Sequence, residues 1–339
     1  MKKRQFGRMD GRPVEEIVLE SGEAAVAILS LGASVRDWRL DGPRGSIPVV
    51  CGFRSLEDHV LNARAHGAIC GRVANRVAGG RFTLDGATHQ LTQNEGAHHL
   101  HGGAVGLQRR IWEMEADAAA NAVRLSYHSP DGEEGYPGAV EFSVTYRLEG
   151  PRLICEMLGL PDQPTPISLA QHSYYNLGGG GDVRDHVLWI DAPEYTPAGT
   201  DLIPTGEIRS VEETRYDFTD PRSLMENDPK SEGYDLNFVL DAGRDRAKPA
   251  ARVSCARTGL QLELWTEEPG LQLYDSAGVT IAAPGHDGIR YGPFAGMCLE
   301  AQHFPDSLHQ PDWPSIIRTT EAPYFQRLEV EIKREGAVG

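Results

Sequence analysis

Strict alternation of apolar and polar residues, cut into short runs by glycine and proline, is the feature that most constrains this chain. Val140, Phe142, Val144, Tyr146 and Leu148 fall at every second position, with Glu141, Ser143, Thr145 and Arg147 between them. A period of two sends alternate side chains to opposite faces of an extended strand, so one face is buried and the other wet. Gly150-Pro151 then turns the chain into Leu153 to Met157, which predicts a hairpin. Phe82 and Leu84 precede Asp85-Gly86, a pair suited to a tight turn, and His89 and Leu91 follow on the return. Leu260, Leu262 and Leu264 alternate in the same way, as do Leu328, Val330 and Ile332. Helical periodicity is confined to Ser55–Arg64, with Ser55 as cap and Asp58 three residues on. The 38 glycines and 22 prolines are spread along the chain and not gathered into a linker. No repeat of constant period is visible, which argues against a propeller or solenoid. The expected fold is all-β, a large antiparallel β-sandwich with one or two short helices, in one domain over residues 1–339.

The charge balance limits the partners. A formal net charge of -16 repels phosphate backbones and anionic lipid surfaces, so neither nucleic acid nor membrane is an expected partner. A neutral polar small molecule fits such a field more easily. No run approaches the roughly 18 apolar residues of a membrane span, and the basic N-terminal residues lack the apolar stretch of a secretory signal. Cys51, Cys70, Cys155, Cys255 and Cys298 are scattered and form no CxxC pair, the pattern of packed free thiols in a reducing, cytoplasmic setting. A monomer or a homodimer is equally compatible with these properties.

Residues able to do chemistry gather in a few places: 71–76, 94–103, 171–177, 233–238 and 298–306. His98, His99 and His101 lie close together, and on a strand His99 and His101 would share a face, as two metal ligands must. No cysteine is near and the spacing matches no standard zinc pattern, so no metal is expected, and His98 and His99 read as surface or loop histidines. No nucleophile elbow surrounds any serine. The glycine run 178–181 neither completes a dinucleotide fingerprint nor precedes a helical pattern, so no cofactor is expected. General acid–base chemistry remains. His172 can hold or release a proton near neutrality, and Glu300 stands in an apolar strand, facing either solvent or a pocket. Taken singly, each has an adequate structural explanation.

Taken in order, the clusters resemble the aldose 1-epimerase (galactose mutarotase) family. The likeness rests on Gly-Arg-x-Ala-Asn-Arg at 71–76, Leu-His-Gly-Gly at 100–103, His-Ser-Tyr-Tyr-Asn-Leu at 172–177, Tyr-Asp-x-Asn-Phe at 234–238 and Leu-Glu-x-Gln-His-Phe-Pro-Asp at 299–306. It runs from about residue 15 to about residue 333. The resemblance implies a galactose mutarotase-like supersandwich, an open cleft for a free monosaccharide, and interconversion of α and β anomers without metal or nucleotide. It implies Glu300 as general base and His172 as general acid, working near neutral pH as carboxylate and imidazolium. His101 would assist at the ring oxygen, and Asn75, Arg76, Asp235 and Gln272 would hold sugar hydroxyls. Tyr175 or Phe304 could pack on the apolar face of the sugar.

Three departures from the family pattern bear on which sugar is preferred. Leu236 stands where a histidine commonly follows the aspartate, Gln171 replaces the usual asparagine, and the segment after Gln272, residues 273–277, is atypical. Two other functions compete with this one. A sandwich that binds sugar without turning it over would lack the proton-transfer residues, which this chain has. A sugar-phosphate mutarotase would need spare cations at the pocket, for which Arg72, Arg109 and Arg110 are available.

Overall fold

The structure is a computed structural model, described for residues 1, 3–42 and 45–334. Its largest sheet has nine antiparallel strands. In spatial order these are 113–117, 122–129, 140–149, 152–161, 324–334, 260–266, 251–255, 187–190 and 222–223. Alternation accounts for its two faces: Val140, Phe142, Val144, Tyr146 and Leu148 are buried, while Glu141 and Glu149 are exposed. The hairpin at Gly150 forms in the expected register, with Leu148 opposite Leu153. At the other predicted hairpin Asp85 and Gly86 both take positive φ, the left-handed pair that a two-residue turn with native twist requires.

An N-terminal five-stranded sheet (3–9, 12–21, 24–29, 34–40, 47–48) shares its apolar face with the nine-stranded one. The Tyr146 hydroxyl, fully buried, donates to the Ala33 carbonyl at 2.8 Å and ties the two together. The predicted helix spans Leu56–Asn62, and the Ser55 hydroxyl accepts the Asp58 N–H at its N-cap. One further helical turn, Leu224–Asn227, and five 3-10 turns complete the helical content of the described residues. Among the described residues no helix is long and apolar enough to cross a membrane.

A second five-stranded sheet (209–210, 194–196, 235–239, 270–274, 298–302) positions the site. Leu236, Phe238, Leu271, Leu273, Leu299 and Ala301 face the common apolar core. The intervening residues face the other way. Antiparallel register sets Asp235 opposite Tyr274, Asn237 opposite Gln272, and Gln272 opposite Glu300, so these side chains lie in adjoining rows on one face. A slip of one residue would drive Asp235, Gln272 and Glu300 into the core and the leucines out. The six core residues on these strands therefore enforce the register.

Candidate functional site

The polar rows form part of the lining of a cleft of about 1000 Å³. Two loops close over it. The first, residues 71–76, is held from behind by Arg72, which is 2 % exposed. Its guanidinium donates to Ser129 Oγ (2.9 Å) and to the carbonyls of Ser129, Pro130, Pro137 and Gly138 (3.1, 2.8, 3.2 and 2.7 Å). Arg72 is thus a structural clamp and is not available to a ligand. Replacing it with methionine would strand these acceptors without a donor. We expect the Arg72→Met variant to lose about 3 kcal/mol or more of stability, since each buried group left unpaired costs on the order of 1–3 kcal/mol. Urea unfolding followed by circular dichroism measures this, and a loss under about 1 kcal/mol would refute the clamp.

The same loop delivers Asn75 and Arg76. Asn75 sits in the left-handed region (φ 60°), tolerable for asparagine, and its Oδ1 accepts the Arg76 N–H at 2.9 Å. Arg76 is gripped by Glu95 through Nε–Oε2 (2.6 Å) and Nη2–Oε1 (2.9 Å), while its Nη1 lies 3.8 Å from Asp235 Oδ2. Gln272 Nε2 donates to Asp235 Oδ1 at 2.5 Å. Burial raises the Asp235 carboxyl above the usual range, opposed by the Arg76 charge and the Gln272 hydrogen bond.

His101 has its tautomer set by the backbone. Its Nδ1 accepts the Asn75 N–H at 3.1 Å, so the proton resides on Nε2. Burial and the neighbouring His172 and Arg76 hold it neutral, well below the ordinary histidine range. It therefore offers the cleft a neutral N–H donor.

The second loop brings His172, 4 % exposed, over Glu300, 2 % exposed, with Nε2 3.6 Å from Oε1. His172 Nδ1 and Glu300 Oε2 are buried and have no hydrogen-bond partner among the described residues. Such orphaned atoms are costly unless something else meets them, and both belong to residues lining the cleft. Burial pushes Glu300 up to about 8, with Asp235 raising and Arg76 lowering it. Burial likewise pushes His172 down to about 4. Burial thus works against charge on either group, while their closeness favours opposite charges, so the carboxyl and imidazole protons are exchangeable across the cleft.

All seven residues expected at the site converge around this cleft: Asn75, Arg76, His101, His172, Asp235 and Glu300 on its wall, and Gln272 hydrogen-bonded to Asp235 in the row beside Glu300. Other expectations need correction. His99 is fully buried, with Nδ1 against the Thr92 carbonyl and Nε2 against the Tyr136 hydroxyl, both at 2.6 Å, so it is a packed structural residue and not a surface one. Its strand ends at Leu100 and His101 takes φ 50°, which ends the alternation that would have put the two histidines on one face. The donor atoms of His101, His172 and Glu300, all within 4.8 Å of one another, form the group among the described residues that could hold a metal ion, a different set from the sequence cluster.

Tyr175 belongs to the apolar core, and Phe304 packs edge-on to Trp313. The aromatic residues that line the cleft are Tyr174 and Tyr274. Parity along the strand 270–274 was a signal for Tyr274, which shares a face with Gln272. Glu95 holds Arg76 from 19 residues away in sequence, a pairing that no local pattern signals. Leu236 packs in the core and also borders a small hollow beside Asn75, Arg76, Asp235 and Gln272. Of the arginines considered for a phosphate, Arg110 is paired with Glu133 and Arg109 alone lines the cleft.

Comparison with known proteins agrees with this architecture. The family model described as aldose 1-epimerase matches residues 15–330. Galactose mutarotase of Rattus norvegicus is 38 % identical over 319 residues, covering 92 % of each chain. Aldose 1-epimerase of Escherichia coli K12 is 34 % identical over 315 residues, covering 90 % of each. Among solved structures, an aldose epimerase homologue from C. elegans superposes with TM-score 0.89 at 27 % identity, over 95 % of this chain and 99 % of that one. Galactose 1-epimerase from Lactobacillus acidophilus gives 0.83 at 26 % identity, over 98 % of each.

Proposed function

The chain belongs to the aldose 1-epimerase family, and from that premise we infer how its cleft interconverts the α and β anomers of a free aldose. Glu300 is the general base and His172 the general acid. The observation that carries this assignment is the buried His172–Glu300 pair at 3.6 Å, which faces the cleft.

The steps balance in protons alone. The ring form reacts with the pair ionised: Glu300 takes the proton of the C1 hydroxyl, the C1–ring-oxygen bond breaks, and His172 protonates the ring oxygen. The product is an open-chain aldehyde facing neutral acid and neutral imidazole, with no net charge moved between protein and sugar. After half a turn about C1–C2, His172 removes the hydroxyl proton, that oxygen attacks the other carbonyl face, and Glu300 returns a proton to the C1 oxygen. The neutral Nε2–H of His101 supports the ring oxygen. Asn75, Arg76, Asp235 and Gln272 hold ring hydroxyls, with Arg76 fixed in place by Glu95.

Polarimetry of freshly dissolved α-galactose and α-glucose tests the reading. Decay to the equilibrium rotation should accelerate well beyond the buffer rate, and sugar binding without acceleration would sink it. Comparing glucose with glucose 6-phosphate tests the phosphate alternative: Arg72 and Arg110 are engaged within the protein while Arg109 stands on the cleft wall, and faster turnover of the phosphate would favour that alternative. One apolar cluster running from Ile17 to Ile332 supports reading the chain as one domain, and five unpaired, buried cysteines support a reducing cytoplasmic location.

A further inference from the structure

His66 takes no part in the proton transfers, yet it lines the same cleft and is only 2 % exposed. Its ring stacks on Tyr174 with centroids 3.9 Å apart and planes 11° from parallel. Tyr174 in turn stacks on His172 at 5.1 Å and 21°. Beyond His172 comes His101, edge-on at 5.2 Å, which is joined to Asn75. The order along the cleft is therefore His66, Tyr174, His172, His101, then the Asn75–Arg76 loop.

His66 is fixed as a one-way donor. Its Nδ1 accepts the Arg64 N–H at 2.9 Å, which places the ring proton on Nε2. Burial, with His172, His59 and Arg64 nearby, holds the imidazole neutral. Nε2 has no partner among the described residues, and it is not among the fully enclosed orphan atoms, so it opens onto the cleft.

The chemistry of a pyranose says what meets it. From C1 one direction along the ring leads to the C2 and C3 hydroxyls, and the other leads through the ring oxygen to C5 and its substituent. With His172 at the ring oxygen and Arg76 and Asp235 on the hydroxyl side, the far end of the stack faces C5. We propose that His66 is a specificity-determining residue whose Nε2–H donates to the exocyclic C6 hydroxyl of a hexose, so that the protein favours aldoses carrying that group. This rests on the assignment of His172 and Glu300 above.

The test compares kcat/KM for D-galactose and for 6-deoxy-D-galactose, read by polarimetry in the wild-type chain and two variants. His66→Phe keeps the stack on Tyr174, and His66→Asn keeps an acceptor for the Arg64 N–H; neither retains a donor at the Nε2 position. The wild type should prefer galactose by about fivefold, the scale of one neutral hydrogen bond. Both variants should bring the ratio to about one, with the change in KM, because a contact far from the reacting atoms is made equally in ground and transition states. General damage would lower both sugars together and leave the ratio alone. A ratio unchanged in both variants, or a wild type indifferent to the C6 hydroxyl, overturns the proposal. Glu300→Gln assayed on 6-deoxy-D-galactose separates the two readings: normal turnover there defeats the acid–base assignment whatever the ratio does.

Discussion

Glu300→Gln should lower kcat by about two or more orders of magnitude, the range associated with losing a general acid–base group, while sugar binding persists. Glutamine keeps the shape and can still hydrogen-bond, but it cannot take the C1 proton. The pH profile should change with it. In the wild type the working form carries one proton on the pair, so kcat/KM should fall above about 8, where Glu300 loses the last proton, and below about 4, where His172 gains a second. The variant keeps only an acid that works protonated, so its residual activity should lose the fall near 8 and instead decline with rising pH through about 4. Retained wild-type turnover would show that the base has been misassigned.

The same substitution should stabilise the fold, with a definite sign. A carboxyl whose folded value is raised above its unfolded one binds a proton more tightly in the native state. No cost is present below the unfolded value near 4.5, and native stability is lost as pH rises from there through about 8. Glutamine removes that linkage. The stability advantage of the variant should therefore be absent near pH 4 and grow to on the order of a few kcal/mol by pH 8, since raising a carboxyl tenfold in proton affinity on folding is worth about 1.4 kcal/mol. Thermal melts at the two pH values measure it. A gain at pH 8 together with lost activity is the pattern expected of a group strained for function.

How far the sequence reached is clear from the same residues. Alternation specified the strands around Val144 and Leu262, the turn at Asp85-Gly86, and the cap at Ser55, because each is governed by neighbours within a few positions. Ordered motifs brought in the site residues, and parity along 235–239, 270–274 and 298–302 would have put Gln272, Tyr274 and Glu300 on one face. Strand order was not legible: the sheet places 324–334 between 152–161 and 260–266, a long-range choice that local pattern does not express. Protonation states were equally hidden. Whether Glu300 is ionised depends on how completely two loops and a sheet exclude water, and that is a property of packing. Arg72 and Arg76 illustrate the same limit, since two arginines four residues apart in one motif have opposite fates, one satisfied by carbonyls and the other presented to the cleft.

His172→Asn should also reduce kcat by about two orders of magnitude, and the informative measurement is the double variant. If the two groups acted independently, the losses would multiply and Glu300→Gln/His172→Asn would fall by about four orders of magnitude. A pair that shares one proton works as a unit: once either member is missing, no group remains to complete the exchange at the other oxygen, so the second substitution removes little further. The double variant should therefore stay within about tenfold of the slower single one, with residual activity owed to binding and to the His101 donor. His172→Asn alone leaves a base that works only ionised, so its residual activity should rise through about 8 and show no alkaline fall, the mirror image of Glu300→Gln. Multiplying losses, or an alkaline fall near 8 that survives in His172→Asn, would divide the proton transfers between other groups and dissolve the pair.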